Sequence, residues 1–199
     1  MQSQKQVWNN LACDWYELKN NPIKRVLAFL AKQEGNVLDL GSGAGRHLTK
    51  IKNGKMYLVD FSKGMIKFAK EKSKHKKIPA KFYVTDITTL PFKNNFFDAA
   101  ICTSSLHCIP KKSDREKTIK ELYRTINPRA QVYVALYNKD SKQFKNAPKE
   151  KFIRWKNKET RYYYIFDEKE AHQLFEKQSF KIIKKFIPKR SIEFIAEKT

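Results

Sequence analysis

The stretch Val37-Leu38-Asp39-Leu40-Gly41-Ser42-Gly43-Ala44-Gly45-Arg46 decides how this chain folds. Val37 to Leu40 reads as a short buried strand, three alternate glycines make a loop, and His47 to Ile51 begins a helical pattern. Glycines at a strand end let the backbone approach a ligand, and a helix start beyond them offers free N–H groups. The unit therefore predicts a nucleotide-type cofactor site. Its spacing narrows the ligand. A dinucleotide fingerprint is G-x-G-x-x-G, whereas here the third glycine comes one position early and Arg46 stands in its place. No G-K-[ST] follows, so a phosphate loop is excluded.

The strands downstream extend the pattern. Met56 to Asp60 is a second apolar strand, ending in an acid nineteen positions after Gly41, where Rossmann-type folds hold a ribose. Ser62 can cap a helix whose apolar face is Met65, Ile66 and Ala69. Lys81 to Thr85 is a third strand leading to Asp86-Ile87, and Phe96 to Cys102 a fourth, carrying Asp98. A strand ending in Asp-x-Gly-x-Gly-x-Gly, followed by these strand ends, resembles motif I and its sequels in the class I S-adenosylmethionine methyltransferases. That resemblance implies an α/β, Rossmann-like fold: a seven-stranded, mostly parallel sheet, helices on both faces and an antiparallel last strand. It implies S-adenosylmethionine as cofactor, bound by Asp39, Gly41, Ser42, Gly43, Gly45, Asp60, Phe61, Asp86, Ile87 and Thr103. The acid Asp39 suits a ligand with an ammonium and a sulfonium, and Asp98 falls at the family's motif IV.

Size and composition set limits. The 199 residues fit one domain, 1–199, with N-terminal helices over 1–33 and a substrate-side insertion over 138–166. No apolar run is long enough to span a membrane and no signal-peptide pattern opens the chain, so a cytoplasmic protein is expected. Cys13, Cys102 and Cys108 have no disulfide spacing. Cys102, His107 and Cys108 lack the second Cys/His pair of a metal site, so no metal is expected. The net charge of +22, from 34 Lys and eight Arg against 20 acids, suits a polyanion partner, as would a Lys-rich proteome without one. Lys binds phosphate as a point charge, which favours backbone tracking over base reading. Lys63 to Lys81 forms one basic cluster. Lys139 to Arg161, interleaved with Phe144, Phe152 and Trp155 and running into Tyr162-Tyr163-Tyr164, forms another that suits looped RNA.

The remaining layout follows from periodicity. Residues 4–18 read as one amphipathic helix, and Pro22 starts another that Gly35 ends. Ser113 to Glu116 is a capping box opening a helix that Pro128 stops. Gln131 to Tyr137 is strand five, Asp167 to Gln178 the last helix, and Phe180 to Ile187 with Ser191 to Ala196 a closing strand pair.

Asn10 to Pro22, Asp86 to Phe92, Phe97 to Ile101, Leu106-His107 and Arg161-Tyr162-Tyr163-Tyr164-Ile165-Phe166 together resemble the tRNA wobble-uridine carboxymethyl methyltransferases. The chain departs from that pattern at Lys19, Ile23, Cys108, Tyr164 and Arg129-Ala130, and its C-terminus lacks the family's Asn-Trp. Asp98-Ala99-Ala100-Ile101 is not the motif of exocyclic-amine methylation, nor are Cys102 and Cys108 in a pyrimidine C5 setting. The resemblance implies methylation of 5-carboxymethyluridine to its ester. Its substrate-positioning candidates are His107 and Arg161, with Tyr163 and Lys19 behind them. It also implies tRNA and a small zinc-binding activator subunit as partners, the activator pairing with the third strand as an exposed edge. Two other readings stand beside it: a UbiE-like small-molecule methyltransferase, and a noncatalytic RNA-binding module.

Overall fold

A computed structural model describes residues 3–156 and 158–199. The chain opens with helices α1 (Gln4–Asn10), α2 (Ala12–Leu18) and α3 (Lys24–Leu30). Strands β1 (Glu34–Leu40) and β2 (Lys52–Asp60), helix α4 (Lys63–Lys76) and strands β3 (Ala80–Val84) and β4 (Phe97–Thr103) follow. Helix α5 (Lys112–Thr125) leads into β5 (Ile126–Tyr137) and a separate hairpin, β6 (Glu150–Trp155) with β7 (Glu159–Tyr164). Helix α6 (Glu168–Glu176) and strands β8 (Phe180–Lys185) and β9 (Ser191–Lys198) close the fold.

Seven strands form one sheet in the order β3-β2-β1-β4-β5-β9-β8. Neighbours from β3 through β5 are parallel, and β9 runs antiparallel to both β5 and β8. Parallel strands covered on both faces need apolar side chains on both sides, which is why the neighbours Val37 and Leu38, which point to opposite faces of β1, are both fully buried. Val26, Phe29 and Leu30 of α3 cover one face, against Val37, Met56, Leu58 and Ile101. Ile119 and Leu122 of α5 with Ala171 and Phe175 of α6 cover the other, against Leu38, Leu40, Ala100 and Val132.

Several local expectations are corrected. No helix follows the glycine loop: the turns end at His47, residues 48–51 have no regular structure, Leu48 and Ile51 bury against the sheet, and β2 already begins at Lys52. Six residues are too few for a stable helix once both apolar side chains are committed to the core. The first helix is two, parted at Leu11. Helix α3 starts beyond Pro22 with Ile23 as its cap and ends at Leu30, while Gly35 lies inside β1 at φ +75°. The capping box does not form, because α5 starts earlier, at Lys112. Arg115 instead donates to the carbonyls of Ile109 and Pro110, both at 2.8 Å, and braces that helix start. Pro128 lies within β5, the helix having stopped at Thr125. Two caps form where expected. Ser62 accepts the Met65 N–H for α4, and Asp167 accepts the Glu170 N–H for α6.

Candidate cofactor and substrate site

The strand order reverses between β1 and β4, and the crevice beyond their C-terminal ends is where α/β sheets of this kind bind ligands. A cavity of about 460 Å³ occupies that place. Gly41, Ser42, Gly43, Asp60, Phe61, Asp86, Ile87 and Thr103 line it, as do His107, Tyr163 and Lys19. Asp39, Gly45 and Arg161 stand behind its wall.

The glycines divide the labour. A Cβ on Gly41 would stand 2.3 Å from the Ser105 Cβ, so Gly41 is required by the packing of the loop on the segment after β4. A Cβ on Gly43 would meet nothing nearer than Met65 Sδ and Trp15 Nε1, each at 3.9 Å. Gly43 therefore presents open backbone to the cavity, as a closely bound ligand requires.

Two buried acids lie beneath this loop. Asp60 accepts the N–H of Gly43 and that of Ser62, each at 2.9 Å. Burial pushes its carboxyl up to about 6, with the two N–H groups pulling the other way. Asp39 is pushed up to about 8 by burial and by the Asp60 charge, and its Oδ2 has no hydrogen-bond partner among the described residues. The carboxyl of Asp60 on the cavity wall and the open backbone of Gly43 fit a ligand carrying a cationic amine, as S-adenosylmethionine does, with the unpartnered Asp39 behind them. Asp86 accepts the Thr88 N–H and hydroxyl through one oxygen, both at 2.8 Å.

The far wall is aromatic and basic. His107 sits in a short 3₁₀ turn, Leu106–Cys108, stacked on Tyr137 with ring centroids 4.0 Å apart. Its Nδ1 accepts the Tyr137 N–H at 3.2 Å, and burial lowers its pKa to about 3. The ring is therefore neutral with its proton on Nε2, a donor rather than a base. Arg161 lies 5% exposed between the rings of Trp8, Trp15, Trp155 and Tyr163, with centroid distances of 4.6 to 5.9 Å. It donates to the Tyr163 hydroxyl at 2.6 Å, which leaves that hydroxyl's own hydrogen to point elsewhere. Arg161 thus acts through Tyr163 instead of meeting a ligand in the cavity directly.

Among the lining residues that sequence reasoning missed are Arg46, His47 and Arg190. His47, read as a helix start, is 3% exposed; its Nδ1 lies 3.3 Å from Thr103 Oγ1 and its Nε2 has no partner among the described residues. A histidine two positions after the third glycine was the available signal. Asp98 is at the wrong end of β4, roughly 16 Å from Thr103 at 3.3 Å per residue. It accepts from the Asn36 N–H at 2.7 Å and Asn127 Nδ2 at 2.8 Å. The aromatics of the second basic stretch are also mostly core: Phe144, Tyr162, Tyr163 and Tyr164 are buried and Trp155 half-buried, leaving Phe152 exposed at 54%.

Residues 31–183 match the family described as Methyltransferase domain. The tRNA (carboxymethyluridine(34)-5-O)-methyltransferase ALKBH8 of Mus musculus is 26% identical over 153 residues, 76% of this chain and 22% of its own length. The 2-phytyl-1,4-naphtoquinone methyltransferase of Nostoc punctiforme is 31% identical over 138 residues, 64% of this chain and 59% of its own. The chain spans less than two thirds of either relative. Among solved structures, the methyltransferase-fold chain in complex with the Haloferax volcanii Trm112 methyltransferase activator superposes at a TM-score of 0.75 and 16% identity. That match covers 98% of this chain and 97% of the other, and it shows a common fold. With the family match, that fold and the cavity behind Gly43 in hand, the chain belongs to the Methyltransferase domain family, on the class I fold that takes S-adenosylmethionine as cofactor.

Proposed function

We propose that this methyltransferase esterifies the carboxylate of 5-carboxymethyluridine at the wobble position of tRNA. The observation that carries the reading is the state of His107. Its Nδ1 is taken by the Tyr137 N–H and its Nε2 bears the proton, so the wall beside Tyr163 offers hydrogen-bond donors where a base would otherwise stand. Such a wall suits a nucleophile that is already ionised. The likeness to a relative named for carboxymethyluridine supports the same acceptor.

Bound S-adenosylmethionine supplies an electrophilic methyl on a positively charged sulfur. An acceptor carboxylate is already ionised and would take that methyl without losing a proton, so no residue of the wall has to act as a base. Asp39, Gly43 and Asp60 serve the cofactor; Asp86 and Ile87 serve its adenosine part, with Ser42, Phe61 and Thr103 completing that wall. His107 and Tyr163 orient the acceptor and exclude water from it, and Arg161 fixes Tyr163.

The exposed edge strand β3, with Val84 45% exposed, suits pairing with an activator of the Trm112 type, since a structural neighbour was solved with one. The likeness to the Nostoc quinone methyltransferase favours a second reading, a small aromatic acceptor. Labelled methyl transfer separates the two, measured on tRNA bearing 5-carboxymethyluridine, on unmodified tRNA and on a demethylated naphthoquinol, each with and without the activator. Label confined to the modified tRNA and released by mild base is the expected result. Label on the quinol alone would establish the second reading.

A further inference from the structure

Three cations gather on the cavity wall, and although Asp60, Asp86, Asp114 and Glu193 also line it, none of these acids pairs with them. Lys19 follows α2, Arg46 ends the glycine loop and Arg190 precedes β9, so three segments far apart in the chain bring one cation each. Arg46 Nε donates to the Asn21 carbonyl at 2.6 Å, which fixes the guanidinium, and its two terminal nitrogens make no hydrogen bond among the described residues. Arg190 lies over the Tyr137 ring at 5.9 Å, and Tyr137 in turn stacks on His107. That stack places Arg190 beside the donor wall assigned to the acceptor. Lys19 instead lies over Trp15 at 5.9 Å, on the side of Gly43 and the cofactor.

None of the three cations has a carboxylate within ion-pair distance among the described residues. Glu193 shares the cavity, but it accepts from the Tyr133 hydroxyl and from Arg25. Asp114 also lines the cavity and lies 3.8 Å from Lys117. Lys19 and Arg46 are each partly buried, and each is depressed by burial and by the neighbouring cations. Crowding cations in a concave wall is unfavourable until an anion enters, and planar guanidinium groups match a carboxylate through paired N–H donors. The cofactor's single carboxylate can engage one of these cations, which leaves guanidinium donors of another unpaired.

We propose that Arg46 and Arg190 form a carboxylate-recognition site for the methyl acceptor and thereby select acceptors that carry an ionised acid. The inference rests on the reading that the acceptor is methylated in this cavity, and it names residues that reading does not use. It extends beyond uridine to any carboxylate of fitting size.

The test uses the full chain saturated with S-adenosylhomocysteine, with phenylacetate and its neutral isostere phenylacetamide as probes. Melting-temperature titrations of the wild type should show stabilisation by the acid and little by the amide. Arg46→Gln and Arg190→Gln should weaken the acid response about tenfold or more while leaving S-adenosylhomocysteine affinity within about twofold, on the scale of a lost charge-assisted hydrogen bond. Arg190→Lys, which keeps the charge and loses the fork, should fall between them and controls for folding. Equal responses to acid and amide would overturn the proposal. So would variants that lose S-adenosylhomocysteine affinity yet keep that for 5′-methylthioadenosine, since the two arginines would then serve the cofactor's carboxylate. Arginine-dependent phenylacetate binding without transfer to modified tRNA would leave this site standing and remove the uridine reading. Transfer to tRNA undiminished in both glutamine variants would do the reverse.

Discussion

At the scale of single residues, two glycines of one loop make opposite predictions. Gly41→Ala sets a methyl against Ser105 at φ +73° and should destabilise the fold by about 2 kcal/mol or more in urea unfolding. Gly43→Ala has room, so only the left-handed backbone, roughly 1 kcal/mol, is charged against stability. Its methyl enters the cavity, and cofactor affinity should fall at least about tenfold by calorimetry. Loss of stability without loss of affinity at Gly43 would contradict its placement. The two buried acids predict a pH dependence. Asp60 at about 6 and Asp39 at about 8 both lie above ordinary carboxylates, so the folded chain holds their protons more tightly than the unfolded chain. Their contribution to ligand-free stability is full below about pH 4 and is lost as pH rises through those two values. A cofactor amine favours the ionised acids. S-adenosylhomocysteine should therefore bind several-fold more tightly near pH 8.5 than near pH 5.5, with protons released on binding. A flat profile would mean that neither acid faces the amine.

At the scale of elements, the hairpin β6–β7 positions Arg161 and through it Tyr163. Trp155 of β6 stacks 4.6 Å from the guanidinium, and the pair Lys158–Asp14 at 3.0 Å ties the hairpin to α2. That exposed pair contributes little, whereas desolvated cation–π contacts are worth about 2 kcal/mol. Arg161→Ala should cost about 2–4 kcal/mol of stability and lower kcat, while cofactor affinity stays within about twofold. Equal losses of cofactor and acceptor affinity would remove Arg161 from the acceptor side. The elements also show what the sequence made legible. Strand ends were readable because parallel strands announce themselves as apolar runs stopped by acids and glycines, so β1, β2 and the Ser62 cap fell where expected. The helix after Gly45 was not, because Leu48 and Ile51 carry helical spacing but bury against a sheet that leaves no room for a turn. Arg46 and Arg190 were invisible for another reason. Their meeting depends on the β9 crossover, which no local pattern encodes.

At the scale of the whole molecule, a net charge of +22 over 199 residues is carried mostly by lysine, on α4 and elsewhere, without matching acids. Among the described residues no helix is long and apolar enough to cross a membrane. If the charge serves a polyanion, tRNA affinity should fall steeply with salt, losing tenfold or more between about 50 and 200 mM, in filter binding. Affinity insensitive to salt would assign the lysines to no RNA contact. The same scale holds the edge strand β3, where amide exchange should slow on adding a Trm112-type activator; unchanged exchange there would move the partner to another surface.

Whether the methyl lands on a carboxylate is decided by the identity of the product nucleoside. Modified tRNA is incubated with cofactor, chain and activator, then digested to nucleosides and resolved by mass spectrometry. The expected product is the methyl ester of 5-carboxymethyluridine, converted back to the free acid by mild base. A base-stable methyl on the ring, the ribose or another nucleoside would contradict it.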